Sequence, residues 1–161
     1  MNPKPAKTPR KPKKPARAPG AERLQIAALP WRLAERLEIM LVSSRETKRW
    51  IIPKGWPMAG RSHSAAAAIE AMEEAGLLGT ITPEPIGQYR YVKKFARGET
   101  APVKVEVFAL RVTRQRESRP EKGERETLWF AAEEAMNLVS DPELRDVIAG
   151  FIRAQGGSPQ G

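Results

Sequence analysis

Three glutamates, Glu70, Glu73 and Glu74, are spaced i, i+3, i+4 within a run of strong helix formers. At about 100° per residue they share one side of a helix, within an arc of roughly 100°. Carboxylates held this close repel one another, and a divalent cation bound among them reduces that cost. The same spacing also describes a solvated acidic face, the commoner meaning of such a triplet. Here, however, the neighbouring positions are Ala and Ile, not the Lys or Arg partners that usually accompany an acidic surface. Ala65, Ala68, Ile69, Met72, Ala75 and Gly76 occupy much of the opposite side. The helix is therefore expected to bury that small apolar side and present the carboxylates as one patch. The chain has no cysteine and a single histidine, His63, so any metal is held by oxygen, which points to magnesium, manganese or calcium. His63 itself reads as a surface residue with no catalytic role.

The elements that must position this patch alternate along the chain. An apolar run at 37–42 suits a buried strand, and a shorter one at 50–52 is ended by Pro53. The segment 64–75 is read as the carboxylate helix, with a serine available as N-cap and Gly76 as its stop. Segments 86–94 and 103–112 are strand-like, with a turn at Arg97, Gly98 and Glu99. In the second, Val103, Val105, Val107 and Ala109 alternate with Lys104, Glu106 and Phe108, the period of a strand with unlike faces. A last short strand is read at 128–130. Asp141 and Pro142 then give N-cap and first-turn signals for a helix reaching about Arg153. Strands around a central helix, with another helix at the end, imply a mixed sheet covered by helices.

The net charge of +9 over 161 residues is unevenly placed. Lys4, Lys7, Arg10, Lys11, Lys13, Lys14 and Arg17 lie in an acid-free, proline-rich tail, so the remainder is only mildly basic. We divide the chain into a disordered basic tail at 1–20, one folded domain at 21–155 and a loose end at 156–161. The tail reads either as a solvated extension or as an electrostatic arm for nucleic acid, polyphosphate or an acidic membrane surface. No interleaved aromatic in it offers base stacking. No apolar run approaches the roughly 20 residues of a membrane span, and no secretory signal is evident, so the cytoplasm is the default location. Dimerisation is left open.

The stretch 55–77 resembles the signature of the Nudix hydrolases, G-x5-E-x7-R-E-U-x-E-E-x-G-U. Gly55, Glu70, Ala71, Glu73, Glu74, Gly76 and Leu77 stand in register with it. Arg61 replaces the box glutamate and Ile69 the box arginine. The resemblance extends over about 34–153 and implies an α/β/α sandwich with a mixed β-sheet. It further implies a diphosphatase that uses Mg2+ or Mn2+, held by Glu70, Glu73 and Glu74, with the Lys54 carbonyl as a further ligand. The same glutamates would be catalytic. One of them, or Glu121 or Glu124 from a later segment, would serve as general base. Ile69 can neither orient nor neutralise the glutamates as the box arginine does, and Arg61 reverses a charge.

Within that family, Trp50 to Pro53 before the box and Trp129-Phe130 after it resemble diphosphoinositol polyphosphate phosphohydrolases, and Pro53-Lys54-Gly55 resembles diadenosine polyphosphate hydrolases. Both take highly anionic substrates. Arg45, Lys48, Arg49, Arg90 and Lys93, with Lys94, are the candidate phosphate-binding rim. Trp56 and Tyr89 are read as packing residues before base-stacking ones, and Met40, Met58, Met72 and Met136 as gap fillers. Two other readings compete: a Nudix-fold protein with weakened catalysis that binds a phosphorylated ligand, and a nucleic-acid-associated protein docked by its tail.

Overall fold

A computed structural model describes residues 21–44, 48–117 and 125–156. The tail at 1–20, Arg45, Glu121 and Glu124 lie outside them.

The centre of the molecule is a pair of parallel strands, β1 (Arg23–Leu33) and β7 (Thr100–Gln115), in register from Arg23↔Val103 to Trp31↔Arg111. Every other pairing among the described strands is antiparallel. One edge of β7 takes β1; along its length it also pairs with β6 (Gly87–Lys94) and β5 (Leu77–Ile81). The strand β1 pairs further with β2 (Leu37–Ser43) and with the two-residue β4 (Lys54–Gly55). The short β3 (Trp50–Ile51) and β8 (Thr127–Ala131) pair with β2. This is the expected mixed sheet.

Helices cover both faces of it. On one side lies α1 (His63–Ala75), packed on Ile26, Ala28, Met40, Val42, Phe108 and Leu110. On the other lie α2 (Ala132–Leu138) and α3 (Pro142–Ala154), over Ala27, Leu29, Ile39, Leu41, Val103, Val105, Val107 and Ala109. The period of two read in β7 puts its valines under α2 and α3 and Phe108 under α1, as a pleated strand must. The sequence reading passed over β1, β4, β5 and α2. In β1 both faces are buried, so Ile26 to Leu29 is a continuous apolar run, and Pro30 argues against a central strand.

Two local features fix α1. It starts at His63, one residue before the start read at 64, with Ser62 as N-cap, and the Ser62 hydroxyl accepts from the Ala65 amide at 3.1 Å. Its C-cap is Gly76 in the left-handed conformation (φ 71°), where a side chain would be strained. Asp141 does stand at the N-cap of α3, but its side chain makes no capping hydrogen bond.

Candidate functional site

The helix α1 is rotated opposite to the hydrophobic expectation. Its buried residues are Ala66, Ala67, Glu70, Ala71, Glu74 and Ala75, while Ala65, Ala68, Ile69 and Met72 are only partly buried. The carboxylate side faces the sheet. Small alanines permit this, because they let the helix backbone approach β1 and β4 and leave room beside them for glutamate side chains. Glu70 is fully buried, Glu74 nearly so, and Glu73 lies at the margin.

Gly55 explains how Glu70 fits. A Cβ at this position would overlap the Glu70 carboxylate, so the side chain lies directly against the β4 backbone. The peptide that follows the Lys54 carbonyl is thereby set beside the carboxylates. Buried anions are costly unless compensated, and two cations stand close. Arg125 places Nε 3.8 Å from Glu74 Oε1 and donates from Nη1 to the Ser43 carbonyl at 2.9 Å. Lys54 is the second. Burial lowers its pKa to about 8, against the opposing pull of Glu74, and Lys93 and Arg125 lower it further. Its ammonium lies 5.0 Å from the centroid of the Tyr91 ring.

From Lys54 the polar contacts continue to β6. Tyr91 donates its hydroxyl to Gln25 Oε1 at 2.6 Å, and burial followed by the charge of Asp141 pushes its pKa well up. Asp141 is itself shifted upward by burial, while Arg49 and Lys54 hold it down. Thus Arg49, Lys54, Lys93 and Asp141 share one electrostatic neighbourhood that reaches Glu74.

The other expected rim residues are placed differently. Arg90 alternates to the far side of β6 from Tyr89 and Tyr91, and its Nε donates to Glu22 at 2.8 Å. Lys94 follows the same outward alternation. Lys48 is exposed in a left-handed turn (φ 58°). Tyr89 is buried and packs, as read. His63 is held by Glu106, with Nδ1 2.7 Å from Oε1. Arg61 is exposed in the turn before α1, and Ile69 packs against the apolar cluster on that side.

Sequence reasoning missed Arg125, Gln25 and Tyr91 and gave Asp141 only a capping role. For Gln25 and Tyr91 the advance signal was strand alternation; Arg125 and Asp141 carried none for this role, since their partners lie far apart along the chain. Among the described residues, no three His, Cys, Asp or Glu side chains converge into a ready-made metal cage. The donor set nonetheless fits a hard divalent ion that keeps water and substrate oxygens among its ligands, because such a site is built from few carboxylates and stays open. The close cradle of Glu70 on Gly55 agrees with that fit.

The NUDIX domain family model matches residues 23–152, from the start of β1 into α3. The chain belongs to the Nudix family. This Nudix chain is 31% identical over 121 residues to Nudix hydrolase 12, mitochondrial, of Arabidopsis thaliana, covering 73% of its own length and 60% of the relative's. It is 28% identical over 149 residues to Nudix hydrolase 13, mitochondrial, of the same plant, covering 81% and 74%. A crystal structure of a C. elegans Ap4A hydrolase binary complex superposes with a TM-score of 0.62 at 20% identity, over 83% of this chain and 98% of that one. The Nudix domain of Shewanella oneidensis NrtR, complexed with ADP ribose, gives 0.62 at 14% identity, over 83% and 89%. These superpositions show the fold. The match begins at β1, eleven residues before residue 34, where the resemblance was read to begin (34 − 23 = 11). Among the described residues, no helix is long and apolar enough to cross a membrane. The names of several relatives place them in mitochondria or chloroplasts, so the cytoplasmic expectation gains no support from them.

Proposed function

We propose that the chain is a Mg2+- or Mn2+-dependent hydrolase that cleaves a diphosphate linkage in a highly anionic substrate, of the diphosphoinositol polyphosphate or dinucleoside polyphosphate type. The observation that carries this reading is the inward turn of Glu70 and Glu74 beside Gly55, with Lys54 and Lys93 in electrostatic reach. In it Glu70, Glu73 and Glu74 hold the metal with the Lys54 carbonyl, and one of these glutamates takes the proton of the attacking water. The bound metal supplies charge that polarises the phosphoryl oxygens and lowers the pKa of water. The Lys54 ammonium, Lys93 and Arg49 receive the substrate's phosphates. Arg125 holds Glu74 in place from outside the box, a task that Ile69 cannot perform. The name of the Ap4A hydrolase with this fold supports trying dinucleoside polyphosphates.

The competing reading, a binder with weakened catalysis, is favoured by Ile69 and Arg61. Turnover of diphosphoinositol polyphosphate, diadenosine tetraphosphate and ADP-ribose, with each metal and with Glu73→Gln as control, separates the two. Tight binding of one of these with no metal-dependent turnover of any would sink the hydrolase reading.

A further inference from the structure

The far end of β1 borders a cavity that none of these roles uses. Its volume is about 490 Å³, within the range of small-molecule sites, roughly 300–1,000 Å³. It lies where the turn between β1 and β2 meets the end of α3, with Trp31, Leu33, Leu37 and Ile152 as its apolar lining. Four residues of β1 separate Ala27, the partner of Lys54, from Trp31 (31 − 27 = 4), a span of about 13 Å. Trp31 also packs with the cluster under α2 and α3, on the face of the sheet opposite α1. The cavity is therefore separate from the carboxylate helix.

The charges around it are unbalanced. Arg36 and Arg111 reach the cavity beside one carboxylate, Glu133. Among the described residues Arg111 makes no ion pair, and its guanidinium carbon lies 5.6 Å from the centroid of the Trp31 ring. Arg36 Nε lies 3.8 Å from Glu38 Oε2, but that carboxylate already accepts from Arg32 Nε at 2.7 Å. Glu133 stands in the first turn of α2, where free backbone amides already favour its charge. The excess is positive. The indole is backed by Phe151, with ring centroids 5.5 Å apart, and an indole and a guanidinium both favour flat neighbours. Leu33 is 70% exposed, an apolar wall left in water, and an apolar ligand covering it would remove that cost.

We propose that this cavity binds a small aromatic carboxylate, with its ring against Trp31 and Leu33 and its carboxylate toward Arg111 and Arg36. Burial of the ring supplies most of the affinity, and the two guanidinium groups select the anion. A concavity of this volume suits one ring system and not a flat protein face. The site is independent of the diphosphate chemistry and stands whether or not the chain hydrolyses any diphosphate.

The test is an NMR titration of the full chain, read at the Trp31 indole N–H, whose signal Trp31→Phe identifies by removing it. Three probes share one apolar body: 2-naphthoate, the uncharged 2-naphthalenemethanol and the cationic 2-naphthylmethylammonium. The naphthoate is expected to bind about tenfold tighter than either of the others, the scale of one hydrogen bond to a charged group. Arg111→Gln should remove that advantage and leave the affinity for 2-naphthalenemethanol unchanged. Should Arg111→Gln fail to fold, Arg36→Gln carries the test, with naphthoate binding weakened about threefold. Glu73→Gln should bind naphthoate as the parent does; a loss there places the probe at the carboxylate helix and overturns the site. Equal affinity for all three probes, or no shift at Trp31, overturns it too. Preference for the ammonium gives the cavity to Glu133 and has the same consequence. So does a dimer in sedimentation equilibrium that Leu33→Glu abolishes, since this face then belongs to a second copy.

Discussion

The helices α1 and α3 have the same length, 13 residues, and lie on opposite faces of one sheet, yet they bury opposite kinds of surface. The inner face of α3 is Leu144, Ile148, Phe151 and Ile152, an apolar stripe at i, i+4, i+7 and i+8. Each such side chain contributes about 1.5–3 kcal/mol when fully buried. The inner face of α1 is four alanines and two glutamates. The alanines bury little area, and the carboxylates oppose folding by their desolvation and mutual repulsion. One helix holds the fold together. The other is held by it, through the Ser62 cap, the Gly76 stop and the close contact at Gly55.

That contrast predicts a double dissociation. Glu73→Gln should lower metal-dependent kcat by about 100-fold or more, because it removes charge from the metal-binding set. Its unfolding midpoint in urea, without divalent metal, should stay close to that of the parent. Ile148→Ala should do the reverse. It empties a fully buried site in α3 and should cost about 2–5 kcal/mol of stability, with KM preserved in the protein that remains folded. Urea unfolding and steady-state kinetics on the two variants check both halves; a large stability loss in Glu73→Gln would erase the distinction between the helices.

The same contrast explains what could be read in the sequence. The helix α3 was legible because its apolar stripe and the Asp141-Pro142 start agree. The strands β2, β6 and β7 were legible from runs and alternation. The existence of α1 and its three glutamates was also legible, but its orientation was not. Ranking side chains by hydrophobicity assigned Ile69 and Met72 to the interior, whereas the structure spends that interior on Glu70 and Glu74. The box glycine supplies the reason, since only an absent Cβ leaves space for Glu70 there. Arg125 could not be found from its neighbours, because the contact with Glu74 spans 51 positions (125 − 74 = 51). Arg90 and Lys93 looked alike as basic strand residues, and only the alternation of β6 separates them.

A smaller effect tests how α1 is anchored. Ser62→Ala removes the acceptor for the Ala65 amide and should cost about 1 kcal/mol, read by urea unfolding. A change below a few tenths would mean that packing at Gly55 and Gly76 fixes the helix start unaided.

A last, pH-dependent effect concerns Lys54, which stands beside the buried glutamates. Its pKa falls from 10.5 to about 8 on folding, chiefly through burial, with Glu74 and Asp141 offsetting part of the shift. Between pH 8 and 10.5 the unfolded chain holds this proton more fully than the folded one, so stability attributable to Lys54 rises with pH across that window. Below about pH 8 both states are protonated and the full cost of burying the charge is present. Lys54→Met keeps an apolar stem and removes that cost, so its stability relative to the parent should be greatest near pH 7 and shrink toward pH 10. Taking the difference between the two proteins at each pH cancels the titration of groups that behave alike in both. A difference that stays flat across the window would show that the Lys54 ammonium is solvated, and would move the boundary between the buried and open parts of the site from Lys54 back to Glu74.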